Sequence, residues 1–256
     1  MSKISARRPR SRPARRAAAA LAGAAALLGL AAAHPAVSAE AAPVDTVTVG
    51  AAPTADFGDC PALPSGVDPA RWRCEVHSAA PRLTMGTVTM TLAPITMTHA
   101  EGPLPDGTPG QVWGAMHSRP TAVPGGLTGI PAAGHAPLAR LAVQPEYGGR
   151  SDFYTGRFSL RFRLVSPLLP RECAIGASTP VDFALKRSGP SRWVSTEPPV
   201  IEFSAYDDAF AAPGAEDCGP LTRPLDRRLG LPATGGNLLS YDATYTFRTY
   251  DRLPAR

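Results

Sequence analysis

Proline and glycine recur so often along this chain that long helices have few places to form. Residues 40–256 hold 26 of the 29 prolines and 22 of the 24 glycines. Within that part, only residues 200–212 and 237–253 run for more than 11 positions without either residue type. Proline removes a backbone donor and clashes with the preceding helical turn, and glycine weakens helices through its conformational freedom. The spacing therefore favours short strands joined by turns.

Apolar and polar residues alternate with a period of two in several of these short segments. Phe158, Leu160 and Phe162 alternate with polar neighbours, and the same pattern recurs between Tyr241 and Phe247. Such alternation is typical of antiparallel strands with one buried and one wet face. Further predicted strands are 46–49, 83–91 with a break near Gly86, 95–99, 141–144, 181–185 and 200–205.

The sequence thus predicts an all-β fold, an antiparallel β-sandwich or a barrel-like relative, in one domain with Pro/Gly-rich loops and two disulfides. One short helix is expected at 221–229, where three leucines share a face and Gly230 follows. The stretch 102–138 is expected to be a surface loop around a short strand at 112–116. The predicted organisation is a signal peptide at 1–39, a flexible N-terminal segment at 40–58 and the β-sandwich domain at 59–256.

Positive charge is concentrated at the N-terminus. The formal charge of the chain is +5, but the seven cations before Glu40 leave 19 cations against 21 acids in the remainder. This distribution argues against nucleic acid as a partner.

Basic residues followed by the uncharged stretch 17–33 and by Val37-Ser38-Ala39 are typical of a cleaved signal peptide. A secreted protein is predicted, with no stable membrane insertion after cleavage. The alternative is that the segment stays uncleaved as a membrane anchor. Both the general secretory route and the twin-arginine route of export remain open.

Four cysteines in the predicted mature chain favour disulfides in an exported protein. Three connectivities are possible, and pairing of sequence neighbours is expected because turns can close both loops, giving Cys60 with Cys74 and Cys173 with Cys218. A zinc site built on these cysteines is not expected, because no C-x-x-C or H-x-x-x-H spacing occurs. The sequence predicts neither a metal nor a cofactor.

The strongest catalytic candidates are His99 and Glu101. On a strand continuing from Ile95, both side chains would extend an apolar row, and a carboxylate beside an imidazole can orient a general base or support a metal. The preferred interpretation is simpler: the strand ends in solvent before Gly102, and both side chains are hydrated. Glu202, Tyr206, Asp207 and Asp208 form an acidic cluster that is likewise expected to be a solvated face.

Three aromatic residues are the binding candidates: Trp113, Tyr147 and Trp193. They have small or polar neighbours, and aromatic side chains offer large contact area at low entropic cost. The alternative is that they close the ends of the sandwich core.

Three parts of the chain carry a resemblance: Asp59-Cys60-Pro61-Ala62-Leu63-Pro64 through Trp72-Arg73-Cys74-Glu75, Tyr206-Asp207-Asp208-Ala209-Phe210 leading to Cys218-Gly219, and Arg227-Arg228-Leu229-Gly230-Leu231-Pro232. On these segments the chain resembles secreted proteins of high-GC actinobacteria that have no assigned activity. The resemblance covers most of the predicted mature chain and implies no catalytic residue.

Together these features favour a non-enzymatic extracellular binding protein whose ligand is a glycan or a protein. An extracellular hydrolase that uses His99 and Glu101 with a more distant acid, such as Asp152 or Asp208, is the alternative. The first hypothesis predicts that aromatic candidates share an exposed surface. The second predicts that His99 and Glu101 lie in a cleft.

Overall fold

Two antiparallel sheets form a sandwich in the computed structural model, which describes residues 55–131, 134 and 136–254. The predicted signal peptide, most of the predicted N-terminal segment and the predicted strand at 46–49 lie outside the described residues. The strands are β1 Arg73–Ala79, β2 Arg82–Met85, β3 Val88–Thr91, β4 Ile95–Pro103, β5 Pro109–His117, β6 Thr121–Ala122, β7 Ala142–Asp152, β8 Arg157–Val165, β9 Ala174–Ile175, β10 Val181–Ala184, β11 Lys186–Arg187, β12 Arg192–Thr196, β13 Pro199–Asp207, β14 Ala215–Glu216 and β15 Leu238–Thr249.

Within the described residues, the first sheet has nine strands in the order β11-β13-β15-β1-β4-β5, with β12 paired to β13, β2 to β15 and β3 to β2. The second has six in the same part of the chain, in the order β14-β9-β8-β7-β6, with β10 paired to β8. The all-β sandwich prediction is confirmed. None of the helices described here has the length and apolar character that crossing a membrane requires.

An apolar core fills one end of the space between the sheets. Leu160, Phe162 and Leu164 point from β8 into it and are at most 4 % exposed, as their alternation predicted. The single described α-helix, α1 Thr222–Leu229, adds Leu225 and Leu229 to this core and ends at Gly230 in the left-handed conformation. The helix prediction is therefore confirmed, with its first turn at Gly219–Leu221 in 3-10 geometry.

The break near Gly86 is a hairpin turn between β2 and β3. Gly86 has a φ of +58°, and a Cβ there would lie 2.1 Å from the carbonyl oxygen of Leu229. The Thr87 amide donates to that same oxygen at 2.9 Å. Glycine is required here because the turn packs directly on the end of α1.

Both predicted disulfides are present, Cys60–Cys74 and Cys173–Cys218, and the described residues include no free cysteine. Their sequence separations are 14 and 45 residues. On the chain-entropy model such loops stabilise the fold by roughly 3 and roughly 4 kcal/mol. The two bonds indicate that the protein folds in an oxidising environment.

The stretch 102–138 contains more strand than the sequence predicted. β4 continues to Pro103, and β5 is nine residues long rather than a short strand at 112–116. Gly102 pairs with Gly110 across these strands, and a Cβ on Gly102 would lie 2.6 Å from the Trp72 ring. Glycine, normally a sign of a turn, here permits a close approach of the sheet to a buried indole.

Candidate functional site

Five ionisable side chains meet on the inner face of the first sheet. Arg73, Glu75 and His77 alternate along β1, and His99 and Glu101 alternate along β4. The antiparallel register places Glu75 opposite His99 and Arg73 opposite Glu101. Because alternate residues of a strand share one face, the segments R-x-E-x-H of β1 and H-x-E of β4 turn all five side chains toward the second sheet.

The carboxylates connect the members of this cluster. Glu75 Oε2 lies 3.0 Å from His77 Nε2 and 3.8 Å from His99 Nε2, while its Oε1 lies 2.7 Å from Arg73 Nε. Glu101 pairs with Arg73 Nη2 through Oε1, and its Oε2 lies 3.6 Å from His99 Nε2. The contact between Arg73 Nε and Glu75 Oε1 is an ion pair without hydrogen-bond alignment, so both atoms keep unused hydrogen-bonding capacity.

His99 is the most buried member of the cluster, with 1 % of its surface exposed. Neither ring nitrogen has a hydrogen-bond partner among the described residues. The Phe153 ring stacks on the imidazole at 3.6 Å between centroids and 4° between planes. The backbone N–H of Phe153 donates to Gln111 Oε1 at 3.1 Å, and this hydrogen bond fixes the turn that carries Phe153. A buried polar group without a partner costs about 1–3 kcal/mol, so this imidazole is held in place at the expense of stability.

Burial and neighbouring charge set the protonation of two members. Desolvation lowers the pKa of His77, and the hydrogen bond with Glu75 offsets only part of that effect. Burial acts to raise the pKa of Glu101, but the nearby His99 and the Arg73 guanidinium outweigh it and hold that pKa at about 2. At neutral pH the cluster therefore offers an uncharged imidazole at His77 and a carboxylate anion at Glu101.

A cavity of about 480 Å³ lies over this cluster, between the two sheets. Arg73, Glu75, His77 and Glu101 contribute to its floor. Much of its wall is aromatic, from Trp113, Tyr147, Phe153, Tyr154, Phe203, Tyr241 and Tyr245. Ligand pockets in proteins are usually apolar and aromatic with a few convergent polar groups, and this cavity has that composition.

The predicted binding residues divide into two places. Trp113 and Tyr147 stack on each other at 4.0 Å between ring centroids, and both line the cavity. Trp193 lies on β12 instead, is 55 % exposed and does not line the cavity. Two of the three aromatic candidates are therefore brought together, but not on the shared exposed surface that a flat binding face needs.

The expectation that His99 and Glu101 are hydrated at a strand end is wrong for His99. β4 does not end at this point but continues to Pro103, and Phe153 covers the imidazole. Glu101 keeps 13 % of its side chain exposed and faces the cavity. The candidate site is thus at the centre of a sheet rather than at its edge.

Sequence analysis missed Glu75 and His77 because it did not predict β1. The strand carries charged residues on its inner face, so it lacks the apolar alternation that identifies a buried strand. A usable signal was the pair of reversed motifs, Glu75-Val76-His77 and His99-Ala100-Glu101. In antiparallel strands the two motifs lie on one face of the sheet, and the observed register sets Glu75 of the first opposite His99 of the second.

The acidic cluster near the end of β13 is structural. Asp207 is 2 % exposed and accepts hydrogen bonds from the amides of Ala184 at 2.7 Å and Ala209 at 2.8 Å, so its predicted solvation is wrong. Asp208 is exposed and pairs with Lys186 at 2.7 Å. These contacts account for both carboxylates without a bound ion.

No protein-family model matches the chain, and no curated protein matches it in sequence. The function must therefore be argued from the site itself.

Proposed function

We propose that this chain is a secreted binding protein that takes a small organic ligand into the cavity between its sheets. The observation that carries the proposal is the cavity of about 480 Å³, whose aromatic wall stands over a floor of charged and polar side chains. Pockets for small molecules span about 300–1,000 Å³. The volume and shape favour a small molecule over an extended protein or glycan surface.

The stacked pair of Trp113 and Tyr147 forms one wall of this site. The Phe153 ring is nearly parallel to the Trp113 ring, with 6.2 Å between the ring centroids. Such rings bind flat or apolar bodies with little loss of side-chain entropy. The floor holds one guanidinium and two carboxylates, so its polar contacts fix the orientation of the ligand. A ligand with an apolar body and one polar end matches both surfaces.

Dye binding tests this proposal. We expect the uncharged apolar dye N-phenylnaphthylamine to fluoresce more strongly with the purified protein, and Trp113→Ala to weaken that binding about tenfold or more, because the variant removes half of the stacked wall. Trp193→Ala is the matched control and should leave dye binding unchanged. Small molecules that displace the dye then identify the ligand class.

Two results would overturn the proposal: no dye binding by the unaltered protein, or equal loss in the Trp113→Ala and Trp193→Ala variants. Retention on cell-wall, chitin or cellulose fractions that depends on Trp193 would instead support an exposed binding surface.

Secretion is supported by the basic N-terminus with its small-residue cleavage pattern and by the two disulfides. An intact-mass measurement on the exported protein should show that residues 1–39 are missing. Reduction should add about 4 Da, because each of two disulfides gains two hydrogens. A mass that retains residues 1–39 would contradict signal cleavage.

An extracellular hydrolase is the second candidate, favoured by the contact of His99 with Glu75 and Glu101 beside a cavity. Of the more distant acids, Asp208 is paired with Lys186. Asp152 lines the cavity, but its carboxylate accepts hydrogen bonds from Tyr154 and Thr155 within its own turn. Hydrolysis of a panel of nitrophenyl esters that is lost in both His99→Gln and Glu101→Gln would favour this candidate over simple binding.

A further inference from the structure

We propose that Glu75, His77 and His99 bind a divalent transition-metal ion at the floor of the cavity. Each residue offers one ligand atom, and these atoms all lie within 4.8 Å of one another. All three residues are buried. The inference does not depend on the identity of the organic ligand, because the three side chains converge through the pairing of β1 with β4 alone.

The spacing of the ligand atoms fits one ion. Nitrogen and oxygen ligands lie about 2.0–2.1 Å from tetrahedral zinc, which places neighbouring ligand atoms about 3.4 Å apart. Glu75 Oε2 lies 3.0 Å from His77 Nε2 and 3.8 Å from His99 Nε2, on either side of that value. Shifts of about 0.4 Å would bring both of these pairs to that separation. The ligand atoms of the two histidines lie within 4.8 Å of each other and would close by up to about 1.4 Å.

His99 provides an independent reason to expect a ligand here. It is 99 % buried, and both of its ring nitrogens lack a hydrogen-bond partner in the part of the chain that the structure describes. Its Nε2 faces the carboxylates of Glu75 and Glu101, and the Phe153 stack fixes the plane of the ring. Buried polar groups are almost always satisfied, so a group aimed at two carboxylates without a bond indicates a missing partner.

The donor set selects the class of ion. Two imidazoles and one carboxylate suit zinc and neighbouring first-row metals. Calcium prefers six to eight oxygen ligands and magnesium an octahedral oxygen shell, which three side chains with two nitrogens do not supply. The site thus favours Zn²⁺ or Co²⁺ over Ca²⁺ or Mg²⁺.

The surroundings of the three ligands suit a bound cation. Arg73 contacts Glu75 Oε1 and leaves Oε2 toward the histidines, and it also holds Glu101 beside His99. Partners of this kind orient metal ligands and tune their basicity. Glu75 and His77 line the cavity, so the position that three protein ligands leave open faces the cavity and its organic ligand.

Cobalt titration tests the site directly. The protein is purified without a histidine tag and with both disulfides formed, stripped with a chelator and titrated with Co²⁺ at neutral pH. We expect one Co²⁺ per chain with visible absorption bands of a four- or five-coordinate ion, and displacement of Co²⁺ by one equivalent of Zn²⁺. Excess Ca²⁺ or Mg²⁺ should not displace it.

Variants locate the ion. Glu75→Gln, His77→Gln and His99→Gln should each weaken Zn²⁺ binding more than about a hundredfold, and Glu101→Gln about tenfold, because partners outside the ligand set contribute less. The matched control is His117→Gln. His117 is also paired with a carboxylate, Asp59 Oδ2 at 2.6 Å, but its side chain is 65 % exposed and lies outside the cluster.

The proposal is overturned if the unaltered protein does not bind Co²⁺ or Zn²⁺ stoichiometrically, or if His117→Gln weakens binding as much as His99→Gln does. Circular dichroism and the melting temperature establish that each variant is folded. Should His99→Gln not fold, His77→Gln decides the outcome, because His77 lines the cavity and the Phe153 ring stacks on His99 more closely, at 3.6 Å, than on His77, at 5.4 Å.

Discussion

The two ends of the space between the sheets are built from the same strands but on different principles. At one end, Val143 of β7 and Phe162 of β8 are at most 2 % exposed in a core made of apolar side chains. At the other end, the same two strands contribute Tyr147 and Phe158 to the wall of the cavity, whose floor holds charged groups. Regular strands thus run from a region optimised for packing into one that keeps buried polar groups.

This difference separates stability from function within one sandwich. Close packing of apolar side chains is the main source of folding free energy, and polar groups buried without partners reduce it. Unfavourable local arrangements of this kind persist where the surrounding fold is stable enough to hold them, and they are concentrated at functional sites. The apolar end holds the sheets together, and the charged end is free to be chemically specialised.

The largest expected effect comes from the apolar end. Phe162 is fully buried on β8, so Phe162→Ala should lower the free energy of unfolding by about 3–5 kcal/mol through lost burial and a residual cavity. Urea denaturation measures this loss, and Trp193→Ala, an exposed aromatic control, should change it by less than about 0.5 kcal/mol. If the two ends are independent, the folded fraction of Phe162→Ala retains its Zn²⁺ affinity. An equal fall in Zn²⁺ affinity would show that the two regions are coupled.

The smallest expected effect comes from the buried imidazole. His99→Leu removes a polar group that costs about 1–3 kcal/mol and loses ring stacking on Phe153 worth about 0.5–1.5 kcal/mol. In chelator the free energy of unfolding should therefore fall by less than about 1 kcal/mol or rise. Glu75 and Glu101 both keep their contacts with Arg73 in this variant.

Repeating that measurement with Zn²⁺ sharpens the contrast. Zn²⁺ at a hundredfold excess over its dissociation constant should stabilise the unaltered protein by about 2.7 kcal/mol and leave His99→Leu unchanged. A loss of more than about 3 kcal/mol in His99→Leu in chelator would contradict the comparison, since it would identify His99 as an ordinary packed core residue.

Much of the fold was predictable because local chemistry and tertiary environment agree there. Phe158 to Leu164 alternate as β8 requires, three leucines and Gly230 mark α1, and the cysteines pair with their sequence neighbours. β1 was not predictable by the same criteria, because its inner positions are Arg73, Glu75 and His77. Burial of these residues depends on partners from β4 that are distant along the chain.

Individual residues of the candidate site were predictable, but their assembly into one site was not. His99 and Glu101 were identified from their spacing, and Trp113 and Tyr147 from their aromatic character. Their assembly around one cavity was not, because it depends on the turn that places Phe153 over His99 and on the register that sets Glu75 opposite it. Trp193 has equally aromatic character but lies elsewhere, so residue type alone does not distinguish the two positions.

The sequence by itself determined the strand class and the short helix, since these follow from spacing and turn chemistry over short distances, and it favoured the disulfide pairing that was found. Only the tertiary structure decided that E-x-H and H-x-E face each other across β1 and β4 and that an aromatic turn covers them. The physical reason is that burial of charge is a property of an assembled environment. The sequence alone does not distinguish a glutamate at the surface from a glutamate between two imidazoles.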